Sequence, residues 1–209
     1  SAGLRVYKLV EKNPWGPVGD SHDKEWKMLN ARVEEAINAQ INAEFYSAFL
    51  YLSMSAYFQR QNLPGFANWT YVQYLEETTH ALKFFKYVNE RGGSVKLTTI
   101  KDPPTEWKDP TDVYDAIYQH EQLVTSLINH IVDVAIEVRD HASNNMLQWY
   151  VAEQVEEEAN ASLILEQLKR IGDAKDSLYL LDKELGLRVF ADATGTINYE
   201  IVCAFGQRL

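Results

Sequence analysis

The residues with the clearest chemical potential are Glu77 and His80, which lie three positions apart in the stretch Tyr74–His80. On a helix, residues at this spacing share one face, one turn above the other. A carboxylate and an imidazole that project together can hold one divalent transition metal, and the second carboxylate oxygen stays available to a neighbouring ion. Because an E-x-x-H pattern often arises by chance, its meaning depends on which other acids share the interior.

Three other predicted helices each carry an acid on an apolar stripe, namely Glu44, Glu121 and Glu157. Taking an ionised carboxylate out of water costs several kcal/mol, and the net stability of a domain is only roughly 5–15 kcal/mol. No Lys or Arg lies on these stripes to neutralise the acids. We therefore expect the carboxyls to be either protonated or held by a metal cluster, and the cluster costs less.

The donor types narrow the choice of metal. A set rich in oxygen, with one or two nitrogens and no sulfur, suits iron or manganese better than copper, and it is wrong for structural zinc. Di-iron sites in helical bundles combine a Glu from each of two helices with an E-x-x-H from each of the other two. Here only one E-x-x-H is complete, because Glu157 is followed by Asn160 where a second His would fall.

Five helices are predicted to position these residues. Apolar residues recur at three- and four-residue steps in four long segments, and a shorter segment follows them. The predicted ranges are about 27–61, 65–91, 112–140, 143–171 and 176–184. Thr111 is the predicted N-cap of the third helix, and the extended connection before it is too long for a tight hairpin. The pattern predicts an all-α four-helix bundle with a long crossover between helices two and three.

This bundle with its fifth helix would cover residues 27–185, between an N-terminal extension, 1–26, and a C-terminal extension, 186–209, of unassigned structure. A length of 209 residues fits one domain. The net charge of −10, without a basic run, argues against nucleic acid as a partner. Apolar runs fall far below the ~20 residues of a membrane span, and Cys203 alone cannot form an intrachain disulfide. We expect a cytoplasmic protein, or an organellar one if a targeting segment has been removed.

From about Met28 to Glu184 the chain resembles the non-haem ferritins, most closely the bacterial type. The matching stretches are Asn42–Ser47, Glu76–His80, His120–Leu123, Leu147–Glu158 and Leu178–Leu185. The resemblance implies a ferritin-like bundle with a ferroxidase centre inside each subunit. Its implied ligands are Glu44, Glu77 and His80 for a first iron, with Glu77 bridging to a second iron held by Glu121 and Glu157, and Gln154 nearby.

The resemblance also implies a third iron site and a source of electrons. Glu76, Glu153 and Glu156 match the extra ligands of the bacterial type, and Tyr51 and Trp149 match aromatic residues that supply electrons in the family. Either aromatic residue could equally be an ordinary part of the core, and Glu156 could be a solvated surface acid.

The function that the resemblance implies is iron storage. A shell of twenty-four subunits would oxidise Fe(II) with dioxygen or hydrogen peroxide and keep the ferric mineral inside. Haem is not expected, because bacterioferritins have Met where this chain has Thr78. The iron-entry acids of animal ferritins correspond to Asn144 and Leu147 in this chain, and Glu137 and Asp140 are candidate substitutes for them. The alternatives are a di-iron oxidase or peroxidase of the rubrerythrin type and a non-catalytic structural ferritin subunit.

Overall fold

The computed structural model describes residues 28–194, and this part of the chain is helical without any strand. Its elements are α1 (Ala31–Arg60), α2 (Pro64–Glu90), α3 (Pro110–Glu137), α4 (His141–Ile171) and α5 (Lys175–Leu185). The prediction of an all-α bundle with four long helices and a short fifth one is confirmed. Within the described residues, none of these helices is both long and apolar enough to cross a membrane.

Two predicted helix starts are wrong, and the capping residues explain why. Helix α3 is capped by Asp109, not Thr111, because the Asp109 side chain accepts a hydrogen bond from the Asp112 amide at 2.9 Å. Pro110 follows as the first helical residue, where its missing N–H costs nothing. Helix α1 begins four residues later than predicted, since Asn30 caps it by accepting from the Arg32 amide.

The crossover between α2 and α3, residues 91–109, runs alongside α1. Asn38 donates to the Ser94 carbonyl at 3.0 Å, and Arg60 donates to the Thr105 carbonyl at 2.8 Å. The intervening 22 residues of α1 rise about 33 Å, and the 11 residues from Ser94 to Thr105 span about 36 Å when extended. The crossover therefore returns the chain to the end of α1, so that α3 runs antiparallel to α1 and parallel to α2.

The interior of the bundle contains two apolar clusters. One cluster includes Met54, Phe58 and Phe66 together with residues 113–117 and 161–168. The other includes Ile37 and Phe84 together with residues from 124–135 and 147–150. Each cluster takes side chains from all four long helices, so burial of apolar surface at both ends holds the bundle together. The predicted metal ligands lie along each helix between these two sets, and Tyr51 belongs to the first cluster.

Helix α5 is attached to the start of α2 through Asp182. The buried Asp182 carboxylate accepts hydrogen bonds from the Gly65 and Phe66 amides at 2.8 and 3.1 Å, and so satisfies free N–H groups of the first turn. A Cβ atom at Gly65 would lie 1.5 Å from the Asp182 carbonyl oxygen. Only glycine therefore permits this approach of the two helices.

Residues 186–194 continue from α5 along α2. Asn68 of α2 donates to the carbonyl of Arg188 at 2.9 Å, which ties the segment to the bundle. The sequence predicted an extension of unassigned structure from residue 186, and this is its described portion. The predicted N-terminal extension, 1–26, lies outside the described residues, and so does the rest of the C-terminal extension.

Candidate metal centre

Four glutamates from four different helices lie in the interior between the apolar clusters. The exposed fractions are 1% for Glu44, 2% for Glu77, 0% for Glu121 and 4% for Glu157. Each follows the apolar stripe of its helix, so the packing that buries the stripe also buries the acid. The structure thus brings together the four acids singled out from the sequence, and their role as metal ligands stays a prediction.

Glu44, Glu77 and His80 form the tightest group. Each offers one ligand atom, and these atoms all lie within 4.8 Å of one another. His80 Nδ1 lies 3.4 Å from Glu77 Oε2, as expected for neighbours one helical turn apart. The second oxygen of Glu44 is buried without a hydrogen-bond partner. A buried carboxylate oxygen without a donor is costly, and a cation between these three side chains would remove that cost.

Neighbouring side chains hold this group in place. Gln40, one turn before Glu44 on α1, donates to Glu44 Oε1 at 2.9 Å. Tyr150 of α4 donates to the backbone carbonyl of His80 at 2.8 Å. The imidazole also meets the Trp149 ring edge-on, with a centroid separation of 5.4 Å. These contacts fix the side chains before any metal binds, as the outer contacts of metal sites do.

A second group lies on α3 and α4. Gln154 donates to Glu121 Oε2 at 3.2 Å and to the Glu121 backbone carbonyl at the same distance. Gln73, from α2, donates to Glu157 Oε2 at 2.8 Å, while its own carbonyl oxygen is buried without a partner. Each carboxylate is oriented by an amide from another helix. Each carboxylate oxygen has two lone pairs, so an oxygen that accepts one hydrogen bond can still bind a metal.

The mutual proximity of the acids changes their ionisation. Burial raises the pKa of Glu157 to about 8, and the charge of Glu121 adds to the effect. Burial also raises the pKa of Glu77 well above its usual range, with Glu121 and Glu157 contributing. The pKa of Glu44 is raised in the same way by burial and by Glu77. Without cations Glu157 therefore retains its proton at neutral pH, and the raised pKa of Glu44 and of Glu77 favours their protonated forms, so a metal ion that binds here competes with protons.

The two aromatic residues singled out from the sequence both border the centre. The Tyr51 hydroxyl donates to Glu121 Oε1, and burial raises the Tyr51 pKa well above its usual range, with Glu121 adding to the effect. Trp149 meets His80 edge-on, and the Lys83 ammonium lies 4.4 Å from the Trp149 ring centroid. Both positions are compatible with electron transfer and equally with packing, so a redox role stays a prediction.

The residues predicted for a third iron are arranged less tightly. Glu153 Oε1 lies 3.9 Å from His80 Nε2, Glu156 is exposed, and Glu76 forms an ion pair with Arg188 at 2.5 Å. The sequence did not indicate this cation, because Arg188 lies after α5 and outside the helical stripes that carry the acids. The cation comes from the C-terminal extension, to which the sequence assigned no structure.

The acids suggested for iron entry are both engaged with arginines. Glu137 pairs with Arg32 at 2.7 Å on the surface. Asp140 caps α4 by accepting from the Ser143 amide and also lies 3.2 Å from Arg91. In the described structure these acids connect helix ends, and a role in iron entry stays a prediction.

Comparison with known proteins places this geometry in a family. Residues 34–171 match the model of the ferritin-like domain. A bacterial non-heme ferritin of Bacteroides fragilis is 42% identical over 161 residues, which cover 77% of this chain and all of the relative. A probable bacterial non-heme ferritin-like protein of Haemophilus influenzae is 42% identical over 159 residues, covering 76% and 96% of the two chains.

Solved structures agree with the sequence relatives. A crystal structure described as a novel open pore ferritin from the archaeon Archaeoglobus fulgidus is 52% identical, with a TM-score of 0.76. The match covers 77% of this chain and 99% of the archaeal chain. The described helices, the interior acids and these likenesses lead to one conclusion: the chain belongs to the ferritin family, and the resemblance to non-haem ferritins of the bacterial type is confirmed.

Proposed function

We propose that this ferritin oxidises Fe(II) at a centre inside each subunit and that its copies form a hollow shell that stores the ferric product. Iron is both the substrate and the cargo. The oxidant is dioxygen or hydrogen peroxide, and each ferrous ion gives up one electron to it. The proposal extends to a shell of twenty-four chains, with a cytoplasmic or organellar location and no bound haem.

One observation carries the proposal: four glutamates and a histidine are buried together, and no Lys or Arg of residues 28–194 is buried with them. Evolution of a purely structural core would favour apolar residues here, since buried acids that ionise destabilise the apo-protein. Two divalent cations would neutralise the four carboxylates and use His80 as a neutral ligand. The cost of burying the acids is then offset only when metal is present.

The side chains have distinct roles in this proposal. Glu44, Glu77 and His80 would hold the first ferrous ion, and Glu77 would bridge to a second ion held by Glu121 and Glu157. The amides of Gln73 and Gln154 orient the two carboxylates of the second ion. Carboxyls that retain protons in the empty centre release them as iron binds, and the same oxygens then stabilise the greater charge of the ferric product.

The proposed assembly into a shell is supported by the family and by an apolar groove on the surface of the chain. The relatives are named ferritins, and an apolar groove lined by Phe45, Phe49, Leu97 and Ile100 lies between α1 and the crossover. Light scattering with size exclusion should give a mass of about 576 kDa, which is twenty-four times the 24.0 kDa of one chain. A mass of half this value would instead indicate a cage of twelve chains.

The catalytic proposal is tested by stopped-flow oxidation of Fe(II) in air. Glu77→Ala and His80→Ala should each lower the initial rate at least about tenfold, since each removes a proposed ligand. The controls are Glu90→Ala and His130→Ala, which remove exposed residues of the same types. The controls should oxidise iron at the wild-type rate.

The alternatives give different outcomes. If both ligand variants oxidise iron as fast as the wild type, the proposed centre is wrong and a non-catalytic structural subunit is favoured. A peroxidase of the rubrerythrin type would turn over peroxide repeatedly without accumulating mineral. The position of a second E-x-x-H histidine is held by Asn160, which argues against that class.

A further inference from the structure

The C-terminal segment delivers a guanidinium group to the edge of the proposed iron centre. Arg188 Nη2 lies 2.5 Å from Glu76 Oε2, and about a fifth of each side chain is exposed. Glu76 directly precedes Glu77, the proposed bridging ligand, and is itself a proposed ligand of a third iron. This pair links the segment after α5 to the acids of the centre.

Several independent contacts hold Arg188 in this position. Its guanidinium carbon lies 4.5 Å from the ring centroid of the buried Trp69, a geometry in which the ring stabilises the cation. Its backbone carbonyl accepts from Asn68 at 2.9 Å. The preceding helix, α5, is attached to α2 through Asp182. The arginine is therefore prepositioned by the fold, and little conformational freedom remains to be lost when the ion pair forms.

We propose that Arg188 competes with a third cation for Glu76. Because the guanidinium already occupies this carboxylate, each subunit has two high-affinity iron positions. The inference rests on the proposed function, because the third position matters only beside a two-iron centre. The guanidinium already supplies the positive charge that pairs with the Glu76 carboxylate, and the same charge repels a second cation at this position. Glu153 and Glu156 alone are a poor site, since one is partly exposed and the other is exposed.

The test counts ions bound by the assembled, metal-free protein. Anaerobic titration calorimetry with Fe(II), repeated with redox-inert Zn(II), gives the number of ions per subunit. Arg188→Ala should bind one more high-affinity ion per subunit than the wild type, and its affinity at the third position should rise at least tenfold. Anomalous scattering from crystals soaked in either metal should then locate the added ion on Glu76.

A matched control exists elsewhere on the chain. Arg60 also lies over an aromatic ring, 6.0 Å from the Tyr57 centroid, and also pairs with a carboxylate, Glu106, at 2.9 Å. Arg60→Ala removes the same charge and the same kind of contact without touching the centre, so its ion count should equal that of the wild type. Arg188→Lys retains the positive charge and should keep most of the competition.

A second measurement changes Glu76, first with Arg188 present and then without it. Glu76→Gln in the wild-type background should not change the number of ions, because Glu76 is already engaged. In the Arg188→Ala background the same substitution should remove the added ion. The inference is overturned if Arg188→Ala and the wild type bind equal numbers, or if Glu76→Gln alone lowers the count by one. A wild-type count below two would contradict the proposed function instead, and the difference between variant and wild type would still decide the role of Arg188.

Discussion

Replacing one buried acid should stabilise the metal-free protein while weakening its metal site. Glu157→Gln keeps the size of the side chain and an oxygen that can accept from Gln73, but it cannot ionise. Burial raises the pKa of Glu157 from an ordinary value of 4.5 to about 8. The contribution of this group to the free energy of unfolding is therefore fully present below pH 4.5 and is lost as the pH rises through about 8.

The magnitude follows from this shift. At pH 7 the unfolded chain has released the proton and the folded chain retains it. The free energy of unfolding of the wild type therefore falls with pH over the 2.5 units between 4.5 and 7. At 1.36 kcal/mol per unit this is about 3 kcal/mol. For a chain of this size it corresponds to a rise in Tm of roughly 6–12 °C for Glu157→Gln. At pH 5 the difference should be less than about 1 kcal/mol.

The assay is differential scanning calorimetry of the assembled apo-protein from pH 5 to pH 8. Glu166→Gln serves as the control, because it changes an exposed glutamate on the same helix that pairs with Lys169. Its effect should stay within about 0.5 kcal/mol. Added Zn(II) should raise the Tm of the wild type and have a smaller effect on Glu157→Gln. A difference in Tm that does not grow with pH would refute the reasoning that Glu157 is buried as a protonated acid.

Three further predictions concern positioning, packing and electron transfer. Gln73→Leu removes the donor to Glu157 and should weaken Zn(II) binding about 10–100-fold in calorimetry; an unchanged affinity would show that the amide does not orient the carboxylate. Gly65→Ala should lower stability by at least about 2 kcal/mol and speed hydrogen exchange in α5, since its Cβ would meet the backbone of Asp182. Tyr51→Phe should abolish any tyrosyl radical signal that freeze-quench electron paramagnetic resonance detects during Fe(II) oxidation, and persistence of that signal would exclude Tyr51 as its source.

The interior acids were predictable from the sequence because each interrupts a regular apolar stripe. Glu44 and Glu121 lie at positions whose neighbours three and four residues away are apolar, so the helix that buries those neighbours buries the acids too. The spacing of Gln40 and Gln73 also indicates a place in the site, and the sequence prediction missed both residues. Each is a buried amide four residues before a buried acid on the same helix. Gln40 donates to that acid, Glu44, whereas Gln73 donates to Glu157 on another helix, a partner that the spacing does not indicate.

The starts of the helices depended on finer rules. Asp109 and Thr111 are both good capping residues, and the deciding feature was Pro110, which favours the first helical position directly after the cap.

The position of Arg188 could not be predicted from the sequence. Its partner Glu76 is 112 positions earlier, and the segment around it has no helical periodicity from which its direction could be inferred. Only the three-dimensional position of α5 determines where this arginine lies.

The crossover has a consequence for engineering the chain. Although residues 94–105 form no regular structure, their carbonyls accept from side chains spaced along α1, from Asn38 to Arg60. One inserted residue would shift the contacts after it relative to those before it, so the segment should tolerate insertions poorly. Gly92, by contrast, has a φ of +66° and open space around its Cα. A peptide tag or a fluorescent label is better grafted at that turn.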